Sequence, residues 1–266
     1  MKAPSFAYAK PRTLAEALEL LARHGEGARI LAGGQSLSPS LNMRLSAPEL
    51  LVDITGLQEL ARIEVTAGKV KVGALVTHAQ IEKSAEIGQH VPLLAQAVPH
   101  IAHAAIRNRG TLGGSLALAD PAAEYPACAV ALDAVFTITS PRGERRVKAT
   151  EFFKGLFETD LKAGEILTAA EFPSGGKSAF FELTRRHGDY AIIGLAVHES
   201  RFVFFGAGAT PVLAVNASKE KSLEKAKAAL KKELDPPADL YNTSATKLHL
   251  AGVLLERAWN TLSTSR

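Results

Sequence analysis

Two glycine pairs constrain this chain more than any other feature. Gly33 and Gly34 follow a short apolar run in "ILAGGQSLSPS" (30–40), and Gly113 and Gly114 lie within "RNRGTLGGSLALADPAAEYPA" (107–127). A turn needs only one glycine. Two in succession let bare backbone N–H groups approach a ligand, and a concave row of N–H groups binds an anion without any basic side chain. A pyrophosphate is the natural guest. Read singly, each pair is equally a tight turn. Neither has the GxGxxG spacing of a dinucleotide loop, and no GxxxxGK[ST] phosphate loop occurs, so any cradle here is of another kind. The second pair adds the hydroxyls of Thr111 and Ser115, then the carboxylates of Asp120 and Glu124, which can accept from sugar hydroxyls or a ring N–H. Arg107 and Arg109 flank it, as phosphate neighbours or as ordinary solvated arginines.

At 266 residues, with 47% hydrophobic and 22% charged residues, the chain can bury a substantial core in one large domain or two smaller ones. Its net charge of +4 invites a nucleic-acid partner. The lysines between Lys219 and Lys232, however, alternate with Glu220 and Glu224, which describes a solvated helix face, so no nucleic acid is expected. A lone cysteine, Cys128, excludes an internal disulfide and a cysteine-held iron–sulfur cluster; it reads as a small buried hydrophobe. The eight histidines show no metal-ligand spacing and read as surface or capping residues, and no metal site and no acid–base catalytic set is expected. The start "MKAPSFAYAKPRT" lacks an apolar core with a cleavage site, and no run of about 18 apolar residues appears. A cytoplasmic location without a transmembrane segment is expected.

Along the chain, Thr13 and Glu16 form a capping-box pattern before an amphipathic helix that stops at Gly25. "RILA" (29–32), "ELLVDIT" (49–55) and "KVKVGALVT" (69–77) read as strands, and Thr77 with Gln80 as a second capping box. Pro99 breaks the helical stretch 92–106, and "SPRGE" marks a hairpin turn. "EILTAAEF" (165–172) reads as a strand and "PSGGK" (173–177) as a linker; the remainder predicts strands, a Lys/Glu helix and a final helix.

"AGGQSL" (32–37) together with "IRNRGTLGGSLALADPAAEYPA" (106–127) closely resembles the FAD-binding medium subunit of molybdenum hydroxylases, the family of carbon monoxide and xanthine dehydrogenases. The resemblance extends over "VGALVTHAQIEKS" (72–84), "GEILTAAEFP" (164–173) and "RRHGDYAIIGLAV" (185–197). It implies an α+β fold: a two-lobed FAD-binding domain of the vanillyl-alcohol-oxidase (PCMH) type over 1–177, with lobes of about 1–56 and 57–177. A small C-terminal α+β domain with an antiparallel sheet and helices follows over 178–266.

Carried over by position, the resemblance implies that Ala32, Gly33, Gly34, Gln35 and Ser36 meet the FAD diphosphate through their N–H groups, with Leu31 and Leu37 beside them. Thr111, Gly114 and Ser115 would complete the cradle from the other lobe. Ile101 and Ala102 would lie near the adenine or ribityl part, Asp120 and Glu124 near the ribityl and flavin polar atoms, and Ile166 and Leu167 against the cofactor. Tyr190 would lie close to the flavin ring; a lone aromatic is otherwise a core residue. Two places depart from the family pattern: Val212 and Leu213 stand where an arginine is frequent, and Lys247-Leu248 where a Tyr-Arg pair is common.

By the same resemblance the molybdenum cofactor belongs to a large partner subunit and two [2Fe-2S] clusters to a small one, in a dimer of heterotrimers. Electrons then arrive on this chain singly and leave to NAD, a quinone or oxygen. Two rival readings remain open at this point: a self-contained FAD-dependent oxidoreductase, and an assembly module whose glycine loops are merely turns.

Overall fold

The computed structural model describes residues 2–264. Thr13 accepts the Glu16 N–H at 3.2 Å, and the Glu16 carboxylate takes the Arg12 N–H at 2.7 Å, so helix α1 (Leu14–His24) starts where the capping pattern predicts. It stops at Gly25, whose φ of 51° suits glycine. Ala17, Leu18 and Leu21 give it a buried stripe against a three-stranded parallel sheet of β1 (Ala7–Ala9), β2 (Ala28–Leu31) and β3 (Leu50–Asp53), in the order β1-β3-β2. A short helix, α2 (Leu37–Asn42), lies between β2 and β3. The core of this lobe also takes in Leu57, Leu60, Leu75 and Ile166 from later in the chain.

The second sheet begins with the hairpin β4 (Ile63–Thr66) and β5 (Lys69–Gly73). A helical stretch follows: α3 (His78–Lys83), α4 (Ala85–His90), α5 (Pro92–Ala97), α6 (Ala104–Arg107), α7 (Leu112–Leu118) and α8 (Glu124–Ala131). Thr77 and Gln80 close the expected capping box on α3, and Pro99 falls in a 3-10 turn that ends α5. The chain then forms the hairpin β6 (Val135–Ser140) and β7 (Gly143–Lys148), a helical turn α9 (Ala149–Phe152), the small pair β8 (Phe153–Gly155) and β9 (Glu158–Thr159), and β10 (Ile166–Pro173). The sheet is antiparallel throughout, in the order β4-β5-β10-β6-β7. Phe136 and Phe152 meet edge to face at 4.8 Å beneath it, and full burial of each such ring is worth about 2 kcal/mol.

A third, antiparallel sheet follows the turn at 174–177: β11 (Ser178–Leu183), β12 (Ile193–His198), β13 (Arg201–Phe205) and β14 (Val212–Leu213). Strand alternation serves two cores. Leu195, Val197, Phe202 and Phe204 cluster with Ala226 and Leu230 of α10 (Leu223–Glu233) and with Leu254 and Ala258 of α11 (Ser244–Thr264). Ala196, Val203 and Phe205 join the core of α5 and α8 instead. The turn at 174–177 thus separates two sheets, while apolar packing runs across it. Arg201 ties the third sheet to the C-terminal end of α8, donating to the Ala131 and Val130 carbonyls at 3.0 and 2.9 Å.

The departures from the family pattern have structural partners. Val212 and Leu213 form β14, which pairs with β13. Lys247 is buried and bonds Asp239 at 2.8 Å, which holds that carboxyl well below its usual range. Among the described residues no helix is long and apolar enough to cross a membrane.

Candidate functional site

The first glycine loop joins the end of β2 to α2. Gly34 has a φ of 73°, and its carbonyl accepts the Ser38 N–H at 3.0 Å. The Gln35 side-chain amide folds back to donate to the Gly33 carbonyl at 2.9 Å and fixes the loop. The N–H groups of Gly33, Gly34, Gln35 and Ser36 find no acceptor among the described residues. Leu31 and Leu37 are half-buried on either side. Four successive unengaged donors, held by a loop that needs none of them, have the chemistry of an anion cradle.

The second loop comes from the other lobe and touches the first. A Cβ on Gly33 would stand 2.8 Å from the Gly110 Cα. Residues 110–113 run antiparallel beside 74–78: the His78 N–H donates to the Gly110 carbonyl, Leu112 to Val76 and Gly113 to Ala74, each at 2.9 Å. Gly113 is required by that approach, since a Cβ there would fall 2.4 Å from the Ala74 methyl. Thr111 caps α7, its hydroxyl oxygen accepting the Gly114 N–H at 3.1 Å, and its carbonyl accepts the Ser115 N–H at 3.0 Å. The N–H groups of the second pair are therefore already engaged. What this loop presents is the half-buried hydroxyl of Ser115 on the first turn of α7, not a second row of bare donors.

Seven residues of α7 span about 10 Å, and the helix ends at Ala119, in left-handed conformation. That carries the chain to Asp120, whose carboxylate accepts the Ala122 N–H at 2.9 Å, and to Glu124 at the start of α8. Burial raises the Asp120 pKa. Burial foremost, with the Asp120 charge adding to it, brings Glu124 up to about 7. Tyr190 is 77% exposed, which rules out the core alternative, and lies near enough to both carboxyls that they add to a rise in its pKa begun by partial desolvation. Its loop is held by Gly188, at φ 84°, where a Cβ would fall 2.7 Å from the Ala102 carbonyl oxygen. Ala102 itself has a φ of 43°, and the Arg107 guanidinium donates to the Ile101 and Ala102 carbonyls at 3.1 and 3.2 Å while bonding Glu82 at 3.0 Å. Arg107 is thereby a loop clamp, whereas Arg109 is exposed.

The structure thus brings together the loops of Gly33 and Thr111, and separately Asp120, Glu124 and Tyr190, with Ala102 against the Tyr190 loop and Ile101 beside it in sequence. Ile166 and Leu167 stand apart: successive residues of β10, they point to opposite faces, Ile166 into the first lobe's core and Leu167 into the larger one. His78 corrects an expectation. It is buried, not on the surface, with its ring edge-on to Tyr125 at 5.2 Å; burial first, then Arg107, lowers its pKa to about 4. Cys128 is fully buried. Among the described residues no three His, Cys, Asp or Glu side chains converge as metal ligands. The sequence reading passed over Glu182, a buried carboxyl near Glu124; only its place at the end of an apolar strand marks it.

Known proteins resemble the chain in sequence and in fold. Residues 4–175 match the family model described as the FAD binding domain in molybdopterin dehydrogenase. The chain is 43% identical over 225 residues to the 6-hydroxypseudooxynicotine dehydrogenase complex subunit alpha of Paenarthrobacter nicotinovorans, covering 80% of this chain and 76% of that one. It is 34% identical to the carbon monoxide dehydrogenase medium chain of Afipia carboxidovorans, covering 96% and 95%. The structure superimposes on a chain of quinoline 2-oxidoreductase from Pseudomonas putida 86 with a TM-score of 0.93 and 37% identity, covering 100% and 99%.

Proposed function

The chain belongs to the family of FAD-binding domains in molybdopterin dehydrogenases, and from that premise we propose that it is the electron-transfer medium subunit of a heterotrimeric molybdenum hydroxylase. It is the flavoprotein component of an oxidoreductase and its cofactor is FAD. The single observation that carries the site is the row of four unengaged N–H groups at Gly33–Ser36, braced from the other lobe by Arg109 and Gly110.

Residues of the chain fit the cofactor in three parts. Ala32–Ser36 would take the diphosphate through backbone N–H groups, with Leu31 and Leu37 excluding water and Thr111, Gly114 and Ser115 closing the opposite side. Ile101 and Ala102 would flank the nucleoside. Asp120, Glu124 and Tyr190, one length of α7 further on, would meet the ribityl and ring atoms. Ile166 and Leu167 would support the cleft from beneath through the two cores they fill. The FAD-binding unit is taken as 1–177, in lobes of about 1–56 and 57–177, with 178–266 as the C-terminal unit.

FAD, when bound, takes up electrons singly and gives them up in pairs. The protein's task is then position and electrostatics. Glu124, held partly neutral by burial, limits opposing negative charge near the ring end. We place the molybdenum cofactor on a large partner and the [2Fe-2S] clusters on a small one, as a dimer of heterotrimers. Relatives named a complex subunit and a medium chain support that assembly. A cytoplasmic location belongs to the same proposal. The test is purification from the native host with associated chains, followed by visible spectrum and metal analysis. FAD on this chain, with molybdenum and iron on two others, is expected; turnover by the isolated chain or its purification alone would contradict the assembly.

A further inference from the structure

The first glycine loop rests on the 109–110 segment, and one buried side chain lies against that segment from within. Thr77 and Thr111 bridge antiparallel, and the His78 N–H donates to the Gly110 carbonyl at 2.9 Å, which fixes the backbone of residue 78 beside residue 110. Its imidazole then meets the glycine. A Cβ on Gly110 would stand 2.6 Å from Nε2 and 2.7 Å from Cδ2 of His78. The φ of Gly110 is not left-handed, so space alone demands glycine there: the imidazole edge and the Ile106 carbonyl oxygen, 3.2 Å from that Cβ, leave no room for a side chain.

Behind the imidazole stands Tyr125 of α8, its ring edge-on at 5.2 Å, and both side chains are buried. In front, the Gly110 Cα lies 2.8 Å from where a Cβ on Gly33 would fall. Contacts therefore run without a gap from α8 to the cradle: Tyr125, His78, Gly110, Gly33. The imidazole is not the cheapest filler for its place. Nδ1 has no hydrogen-bond partner among the described residues, and an unpaired buried nitrogen lowers stability. What the imidazole supplies is a thin Nε2–Cδ2 edge; a branched side chain of similar volume would bring a methyl group there and press the segment toward Gly33. Burial first, then Arg107, leaves the ring uncharged at neutral pH, so it acts through shape.

We propose that His78 is a positioning residue for the diphosphate cradle: its imidazole sets where the 109–110 segment stands, and through Gly110 it holds the N–H groups of Gly33–Ser36 aligned on one anion. This rests on the cradle reading above. Hydrogen bonds weaken steeply with misalignment, and four donors on one loop move together.

The test compares the native full chain with His78→Leu and His78→Gln by equilibrium titration with FAD and, separately, with riboflavin, alongside chemical denaturation. His78→Leu removes the unpaired nitrogen, so its denaturation midpoint should hold or rise. Its FAD binding should nevertheless weaken about tenfold or more, the loss of one good N–H bond to phosphate, while riboflavin binding changes by less than about twofold. Glutamine is flat at its tip and can place its nitrogen where Nε2 stands, so His78→Gln should keep most of the FAD affinity. Unchanged FAD affinity in His78→Leu, a parallel loss of FAD and riboflavin, or an equal loss in His78→Gln overturns the positioning role alone. A native chain that prefers FAD no more than riboflavin overturns the cradle reading and the role together. Should His78→Leu fail to fold, Gly110→Ala decides, alone and combined with His78→Ala. Preference for FAD lost in the single variant and regained in the double is expected; no loss in the single, or an equal loss in both, overturns the role.

Discussion

A Cβ on Gly33 would fall 2.3 Å from the Arg109 carbonyl oxygen, so the two glycine loops, from different lobes, meet backbone to backbone. No side chain can enter that contact without parting them. Gly33→Ala is expected to destabilise the fold by about 1–3 kcal/mol, the usual cost of overpacking, and to weaken FAD binding because the donors move with the loop. Thermal unfolding and flavin fluorescence titration read the two effects.

Gly34 and Gly114 fail for different reasons. At Gly34 the φ of 73° costs an L-residue about 1–2 kcal/mol. At Gly114 a Cβ would fall 2.9 Å from the Thr111 hydroxyl oxygen and disturb the cap of α7. Both Gly34→Val and Gly114→Val should lose FAD. Thr111→Ala should cost about 1 kcal/mol and Thr111→Ser much less, as expected for a cap. Stoichiometric flavin retained in both valine variants would sink the cradle assignment.

The cap residues, the strand patterns of β5 and β10 and the stripe of α10 are legible in sequence because each is a local signal, complete within a dozen residues. The three-residue β1 is not: its support comes from parallel pairing with the distant Leu50–Val52 and from the bond of the Tyr8 hydroxyl to Asp53. The glycine pairs are visible, but that one offers free N–H groups while the other spends its own on Ala74 and Thr111 depends on which strand passes by. His78 reads as a cap residue, yet residues 110–113 and Tyr125 cover it. Tyr190, expected by resemblance near the flavin ring, could as a lone aromatic equally have been core; it is exposed, on a loop whose Gly188 sits against Ala102.

Stability should depend on pH through the buried carboxyls. Glu182 and Glu124 hold their protons up to about 8 and about 7 in the fold, against 4.5 when unfolded. Folding thus binds protons between pH 4.5 and 8, and stability is lost as pH rises through that window, by about 1.4 kcal/mol per unit for each carboxyl. His78, lowered to about 4, acts oppositely and costs stability as pH falls below 6.5. Chemical denaturation at pH 6.0 and 8.0 should show a shallower loss in Glu182→Gln than in the native chain. Equal slopes would show that Glu182 is ionised in the fold.

Arg201 joins the third sheet to α8 by donating to two carbonyls at the helix end, of which that of Val130 also accepts the Asp133 N–H at 3.2 Å. Arg201→Met should lower stability by about 1–3 kcal/mol, seen as a reduced denaturation midpoint.

The most direct measurement is equilibrium titration of the purified full chain with FAD and, separately, with riboflavin, following flavin fluorescence. A diphosphate cradle at Gly33–Ser36 predicts saturation at one FAD per chain and far weaker binding of riboflavin, which has no phosphate. No saturable FAD binding, or equal affinity for both, would contradict it.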